Sequence, residues 1–146
     1  MVNCNRQYCS YDRSSQCKRD HNRQHDKDMK MHFREFKVYK DAKTLVVQTF
    51  RLARKFPREF YYLSDQMNRG ALSILLNIAE GSAKGSDKDF NRYIKNSLGS
   101  ATELYAAFEV AEELRLITEE EYKVIEIQVR EVIKQLGGFS KYLSKN

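Results

Sequence analysis

The chain has 146 residues, which fits one domain with a single hydrophobic core. Charged residues make up 32% of it and proline occurs once, a balance that suits a helical protein with a solvated exterior. Net charge is +6, from 26 Lys and Arg against 20 Asp and Glu, so the sequence favours an acidic partner, and no stretch approaches the roughly 20 apolar residues of a membrane span.

Residues 1–30 differ in character from the rest of the chain. Val2 is their one aliphatic residue before Met29, and they show no apolar period. Such a segment buries too little surface to offset its ordering entropy, so a disordered basic tail is expected, with Met29 and Met31 as alternative translation starts. It lacks the apolar core of a signal peptide, which points to the cytoplasm and to reduced cysteines. Cys4, Cys9 and Cys17 all lie in the tail, and an odd number leaves no complete disulfide framework.

From residue 31 to 146 a bundle of helices is expected. Val38, Ala42, Leu45, Thr49, Leu52 and Phe56 recur at steps of four and three, forming the seam of a first helix that Pro57 ends. The second helix is placed at about Leu63 to Ala79, with Gly81 as a left-handed C-terminal cap. Its second half, ALSILLNIA, is apolar on nearly every side, so it is buried either inside the bundle or against another subunit, and Leu72, Leu75 and Leu76 become candidate interface residues.

Ser86 caps the third helix, with Asp87 and Asp89 in its first turn where negative charge is favourable. The seam there reads Phe90, Ile94, Ser97, Ala101, Leu104, Phe108 and Ala111, and the small run Ser97, Gly99, Ser100 and Ala101 predicts a close helix approach that would account for the mid-helix Gly99. Thr118 and Glu121 form a capping-box pattern for the fourth helix, whose seam runs Tyr122, Ile125, Val129, Val132, Leu136, Phe139 and Leu143. Gly137-Gly138 interrupts it as a kink, a fray point or a close contact. Four long helices with short links predict an all-α, up-down-up-down antiparallel four-helix bundle.

Catalytic chemistry finds no foothold. A di-iron bundle needs Glu-x-x-His on two helices, whereas His21, His25 and His32 all fall at or before the start of the bundle. The tail cysteines and histidines match zinc ligands by type, but the gaps of four and seven residues between cysteines do not match a zinc module. GSAKGS lacks the phosphate-loop arrangement, and Glu80 and Glu103 read as hydrogen-bond partners of turns and helices. No catalytic residue, metal or cofactor is expected. What remains is basic: Lys37, Lys40, Arg51, Arg54, Lys55 and Arg58 on the first helix, and Lys84, Lys88, Arg92 and Lys95 beyond the second. These read either as a solvated exterior or, multiplied over several subunits, as a phosphate-contacting surface.

One segment also carries a resemblance. LSDQMNRGALSILLNIAEG over residues 63–81, then Phe90, Tyr93 and SLGS before Glu103-Leu104, resembles the four-helix-bundle family named for the 23S rRNA intervening-sequence protein. The motif residues here are Gln66, Arg69, Asn77, Glu80, Gly81, Gly99 and Ser100, and the likeness extends from about residue 33 to 143. It departs at Leu75-Leu76, where the family carries a proline and a small polar residue; this should straighten the helix end and make its surface more apolar.

The resemblance implies a ring-like homopentamer, encoded in some bacteria within large ribosomal RNA genes. It also implies relatedness to accessory proteins of retroelement reverse transcriptases, which bind nucleic acid and the polymerase. Arg69, Asn77, Glu80 and Ser100 would hold the turn between helices two and three. The expectation is a non-enzymatic oligomeric module for structured RNA or a ribonucleoprotein, with an oligomeric scaffold for a polymerase-type protein as the alternative.

Overall fold

The computed structural model describes residues 32–145. The readings made on the tail, including Cys4, Cys9, Cys17, His21 and His25, lie outside them. Among the described residues there are four long helices and no strand: α1 (Lys37–Ala53), α2 (Tyr61–Ser82), α3 (Asp87–Glu113) and α4 (Glu119–Leu143). Two short 3₁₀ turns, His32–Glu35 and Arg58–Phe60, lead into α1 and α2. None of these helices is long and apolar enough to cross a membrane.

Each helix buries one narrow stripe. On α3 the buried residues are Asn91, Ile94, Ser97, Ala101, Leu104, Phe108 and Ala111; on α4 they are Ile125, Val129, Val132, Leu136 and Leu143. Phe108 is the largest fully buried side chain, and burying a ring of that size contributes roughly 1.5–3 kcal/mol. The stripe on α1 follows Val38, Ala42, Leu45 and Thr49 and then moves to Ala53, leaving Leu52 and Phe56 half-buried. A straight helix of 3.6 residues per turn drifts away from a seven-residue repeat, so after two heptads the buried position shifts by one. The hydroxyl of the fully buried Thr49 is satisfied by donating to the Leu45 carbonyl at 2.8 Å.

Neighbouring helices meet in opposite chain order. Along α1 and α4, Lys37 pairs with Glu131 and Lys55 with Glu121. Between α2 and α3, Ser97 donates to the Ile74 carbonyl at 2.9 Å, and Tyr93 donates to Glu80 at 2.8 Å. At one end Phe36, Phe90 and Phe139 form a ring cluster, with Phe139 edge-on to both others at 5.1–5.2 Å.

The helix ends explain themselves in three cases and correct the sequence reading in one. Phe36 precedes α1 with no side-chain cap. Ser86 caps α3 by accepting from the Asp89 N–H at 3.1 Å. Thr118 and Glu121 complete a reciprocal capping box on α4. Gly81 is not a left-handed cap: α2 runs on to Ser82, Ala83 closes it in right-handed conformation, and among the described residues no glycine has positive φ. The left-handed residue is Arg115, at φ 55°. Its N–H donates to the Glu112 carbonyl at 2.8 Å, and that of Leu116 to Ala111 at 2.9 Å. That bond pair is the Schellman ending of α3, with arginine in the place that glycine occupies at lowest cost.

The glycines divide sharply. A Cβ on Gly81 would lie 2.7 Å from both Phe90 Cδ2 and Tyr93 Cβ, so the residue is there to let α3 close over the end of α2. Gly99, expected at a close helix approach, is exposed, and a Cβ there meets nothing within 4 Å. A Cβ on Gly137 or Gly138 likewise meets nothing within 4 Å among the described residues, and α4 continues unbroken through both. Replacing Gly81 by alanine should therefore cost about 1–3 kcal/mol through overpacking. Gly99→Ala and Arg115→Gly should each add about 1 kcal/mol, by helix propensity and by relief of the left-handed backbone. Urea midpoints of the three variants check the signs.

Candidate nucleic-acid interface

The basic residues do not form one patch. Lys37 is bound to Asp41 at 2.6 Å and approaches Glu131, Lys40 reaches Glu35 at 3.2 Å, and Lys84 reaches Glu80 at 3.3 Å. Lys55 is held by Glu121 at 2.7 Å, across 66 positions of sequence. Among the described residues Arg51, Arg54, Arg58, Lys88, Arg92 and Lys95 take part in no ion pair. Arg92 lies over the Tyr93 ring at 5.5 Å from its centroid.

The pattern resolves on α1. Lys40, Lys43, Val47, Arg51 and Arg54 are all exposed and recur at steps of three and four, so they share its outer edge, whereas Arg58, expected on the first helix, lies beyond its end in the 3₁₀ turn after Pro57. Residues 42–58 contain five Lys and Arg and no acid at all, because Asp41, the one carboxylate of α1, is turned to α4 and hydrogen-bonded by Gln135 at 2.7 Å. Lys37 first, then Gln135, hold the Asp41 carboxyl below its usual range. Lys43 was not among the sequence candidates; its spacing from Lys40 and Val47 was the available signal.

Charge of the opposite sign gathers in a later stretch of the sequence, part of which folds back against α1. Residues 103–121 hold seven glutamates against Arg115 as the one basic residue. Glu120 and Glu121 come up beside Arg51 and Leu52 at an open cleft of about 350 Å³ between α1 and α4, which Val124 and Gln48 also line. The candidate stretch at Lys84, Lys88, Arg92 and Lys95 is interspersed with Glu80, Asp87 and Asp89.

The motif residues divide between the α2–α3 seam and the α2 surface. Asn77 donates to the Ser73 carbonyl at 2.8 Å and to its hydroxyl at 3.1 Å, and Ser73 shares a 2.9 Å hydrogen bond with Ser100. Glu80 accepts from Tyr93 and Lys84, and those two bonds, Tyr93 first, hold its carboxyl low. Arg69 takes no part in the turn: it reaches only Asp65, one turn back on its own helix, at 3.9 Å. With the exposed Gln66 it shares the outer face of α2, where Leu72 is 39% and Leu76 54% exposed while Leu75 is half-buried. Of the two serines that tie these helices together, Ser73 was missing from the sequence reading, and Ser97 was read as part of the α3 seam but not as a motif residue. A serine one turn before Asn77 and another inside an apolar seam were the clues. Among the described residues no three His, Cys, Asp or Glu side chains converge as a metal site would require.

Four amphipathic helices around one core, joined by a small-residue seam between α2 and α3, define a four-helix bundle protein. The chain belongs to the family of the 23S rRNA-intervening sequence protein, whose model matches residues 34–138. A solved structure from Bacteroides thetaiotaomicron VPI-5482, a protein with unknown function from the S23 ribosomal protein family, is similar at 26% identity with a TM-score of 0.65, over 68% of this chain and 94% of that one. No curated protein matches the chain.

The capping box makes a pH test possible. Hydrogen bonds from Lys55 first and the Thr118 N–H second lower the Glu121 pKa from its ordinary 4.5. A carboxyl with a depressed folded pKa contributes stability that is present above pH 4.5 and is lost as pH falls through the folded value. Glu121→Gln keeps an acceptor for Thr118 but loses the charge, and should cost about 1 kcal/mol at pH 7. Denaturation in parallel at both pH values should show the gap between variant and wild type closing towards pH 3.

Proposed function

We propose that the chain is a non-enzymatic helical module that binds structured RNA through the outer edge of α1, acting as a homo-oligomer joined through the outer face of α2. The observation that carries this is the acid-free stretch of residues 42–58, which presents Lys43, Arg51 and Arg54 along one exposed edge of α1 and Arg58 just beyond its end. Fixed cations on a rigid helix neutralise phosphates and release counterions without first having to break an ion pair. The α1 edge from Lys40 to Arg54 is about 20 Å long at 1.5 Å per residue. One such edge makes few phosphate contacts, and several copies in one assembly multiply them. Membership of a family named for a ribosomal RNA insertion supports the same ligand class. Residues 33–146 contain neither histidine nor cysteine, which supports a role without imidazole or thiol chemistry.

Leu72 and Leu76 support the assembly. They stand one turn apart on a surface otherwise occupied by Gln66, Arg69 and Glu80, and two exposed leucines there are explained by a second subunit covering them. A polymerase-type protein seated on the same leucines is the alternative reading, and it predicts binding that survives moderate salt.

Titration of the protein with a folded fragment of large ribosomal RNA between about 50 and 200 mM salt should give affinity that falls steeply with salt. Arg51→Glu combined with Arg54→Glu and Arg58→Glu should flatten the log–log slope by about 3 and leave the circular dichroism unchanged. An assembled protein that ignores RNA at the lowest salt would overturn the RNA reading and favour the protein scaffold. Separately, Leu72→Glu with Leu76→Glu should reduce the sedimentation mass to that of one chain. An unchanged mass would remove the α2 face as the interface.

A further inference from the structure

We infer that the basic edge of α1 ends in a stacking site for unpaired nucleobases, formed by Tyr61 and Tyr62, so that the RNA recognised carries a single-stranded loop, bulge or end. The inference rests on the RNA reading above and narrows its ligand.

Tyr61 and Tyr62 are the two most exposed aromatic side chains of the described residues, at 69% and 76%. They open α2 only three and four residues after Arg58, following the short 3₁₀ turn that Pro57 starts. Successive residues on a helix point about 100° apart, so the two rings fan out from one place rather than covering each other. Ser64 donates to the Tyr61 carbonyl at 2.9 Å, which fixes the first turn from which both side chains project.

The contrast with other tyrosines is informative. Tyr93 and Tyr105 have hydroxyls bound to Glu80 and Glu126 and rings covered by cations, so their place in the fold is accounted for. Among the described residues Tyr61 and Tyr62 have no such hydrogen bond or cation. Phe50, 42% exposed and next to Arg51, adds an aromatic face farther back along α1. Aromatic faces interleaved with free arginines suit a strand whose phosphates are neutralised while its bases are splayed and stacked. A continuous duplex keeps its bases stacked inside and offers such rings nothing, so it would use the arginines alone.

The test compares two RNAs of equal length, a hairpin with a wide single-stranded loop and a blunt perfect duplex, each titrated with the full chain at one low salt concentration. Wild type should bind the loop RNA more tightly than the duplex. Tyr61→Ala with Tyr62→Ala should weaken loop binding about a hundredfold, roughly tenfold for each ring, and leave duplex affinity and the salt slope unchanged. Tyr61→Phe with Tyr62→Phe, which keeps both rings, should retain loop binding. If the alanine pair binds the loop RNA like wild type, the stacking site is wrong while the RNA reading stands. Equal loss on both RNAs, or a fall in solution mass with RNA binding intact, would also overturn it, since the rings would then serve assembly. Wild type that binds neither RNA overturns both proposals.

Discussion

The seam between α2 and α3 depends on side chains small enough to bring two helix backbones together. A Cβ on Gly70 would already lie in contact with Leu104 and the Ser100 carbonyl, Ser73 and Ser100 share a hydrogen bond, and the buried Ser97 hydroxyl donates to a carbonyl within α2. At the turn, Gly81 leaves the space that Phe90 and Tyr93 fill. Phe90 thereby reaches Phe36 and Phe139, so the close approach of one helix pair also sets where the start of α1 and the end of α4 can pack. Larger residues along this seam would disturb the packing of the other two helices with it. The hydroxyls within it are all paired, as burial requires.

Much of this was legible in the sequence because it is periodic or local. The buried stripes on α3 and α4 match their four-three spacing, and the caps at Ser86 and Thr118–Glu121 are short patterns with a direct hydrogen-bond meaning. What escaped depends on the third dimension. Gly81 looked like a helix stop because glycine favours left-handed backbone, whereas its role is space for Phe90, 9 residues later and on another helix. The left-handed turn went to Arg115, which no composition rule marks. Gly99 carried a propensity cost that suggested a neighbour, and among the described residues there is none.

The candidate site was half legible for a related reason. Basic residues can be counted in a sequence, but their availability cannot. Lys55 belongs with Arg51 and Arg54 by position and is nonetheless tied to Glu121, 66 residues away. Lys37 and Lys40 likewise have carboxylate partners, one of them on α4. The free set is dominated by arginine, whose planar, weakly hydrated head suits phosphate and base faces better than an ammonium does. Lys43 joins it only when α1 is seen as an edge rather than as a tally.

The glutamates of residues 103–121 give that edge a further consequence. Seven carboxylates lie in α3, its turn and the start of α4, and the last of them, Glu120 and Glu121, come up beside Arg51 at the cleft between α1 and α4. A polyanion that approaches α1 from that side meets carboxylates next to the arginines and is repelled. The distribution of acids, and not only that of bases, thus sets a border along one flank of the strip of α1 that a polyanion can reach.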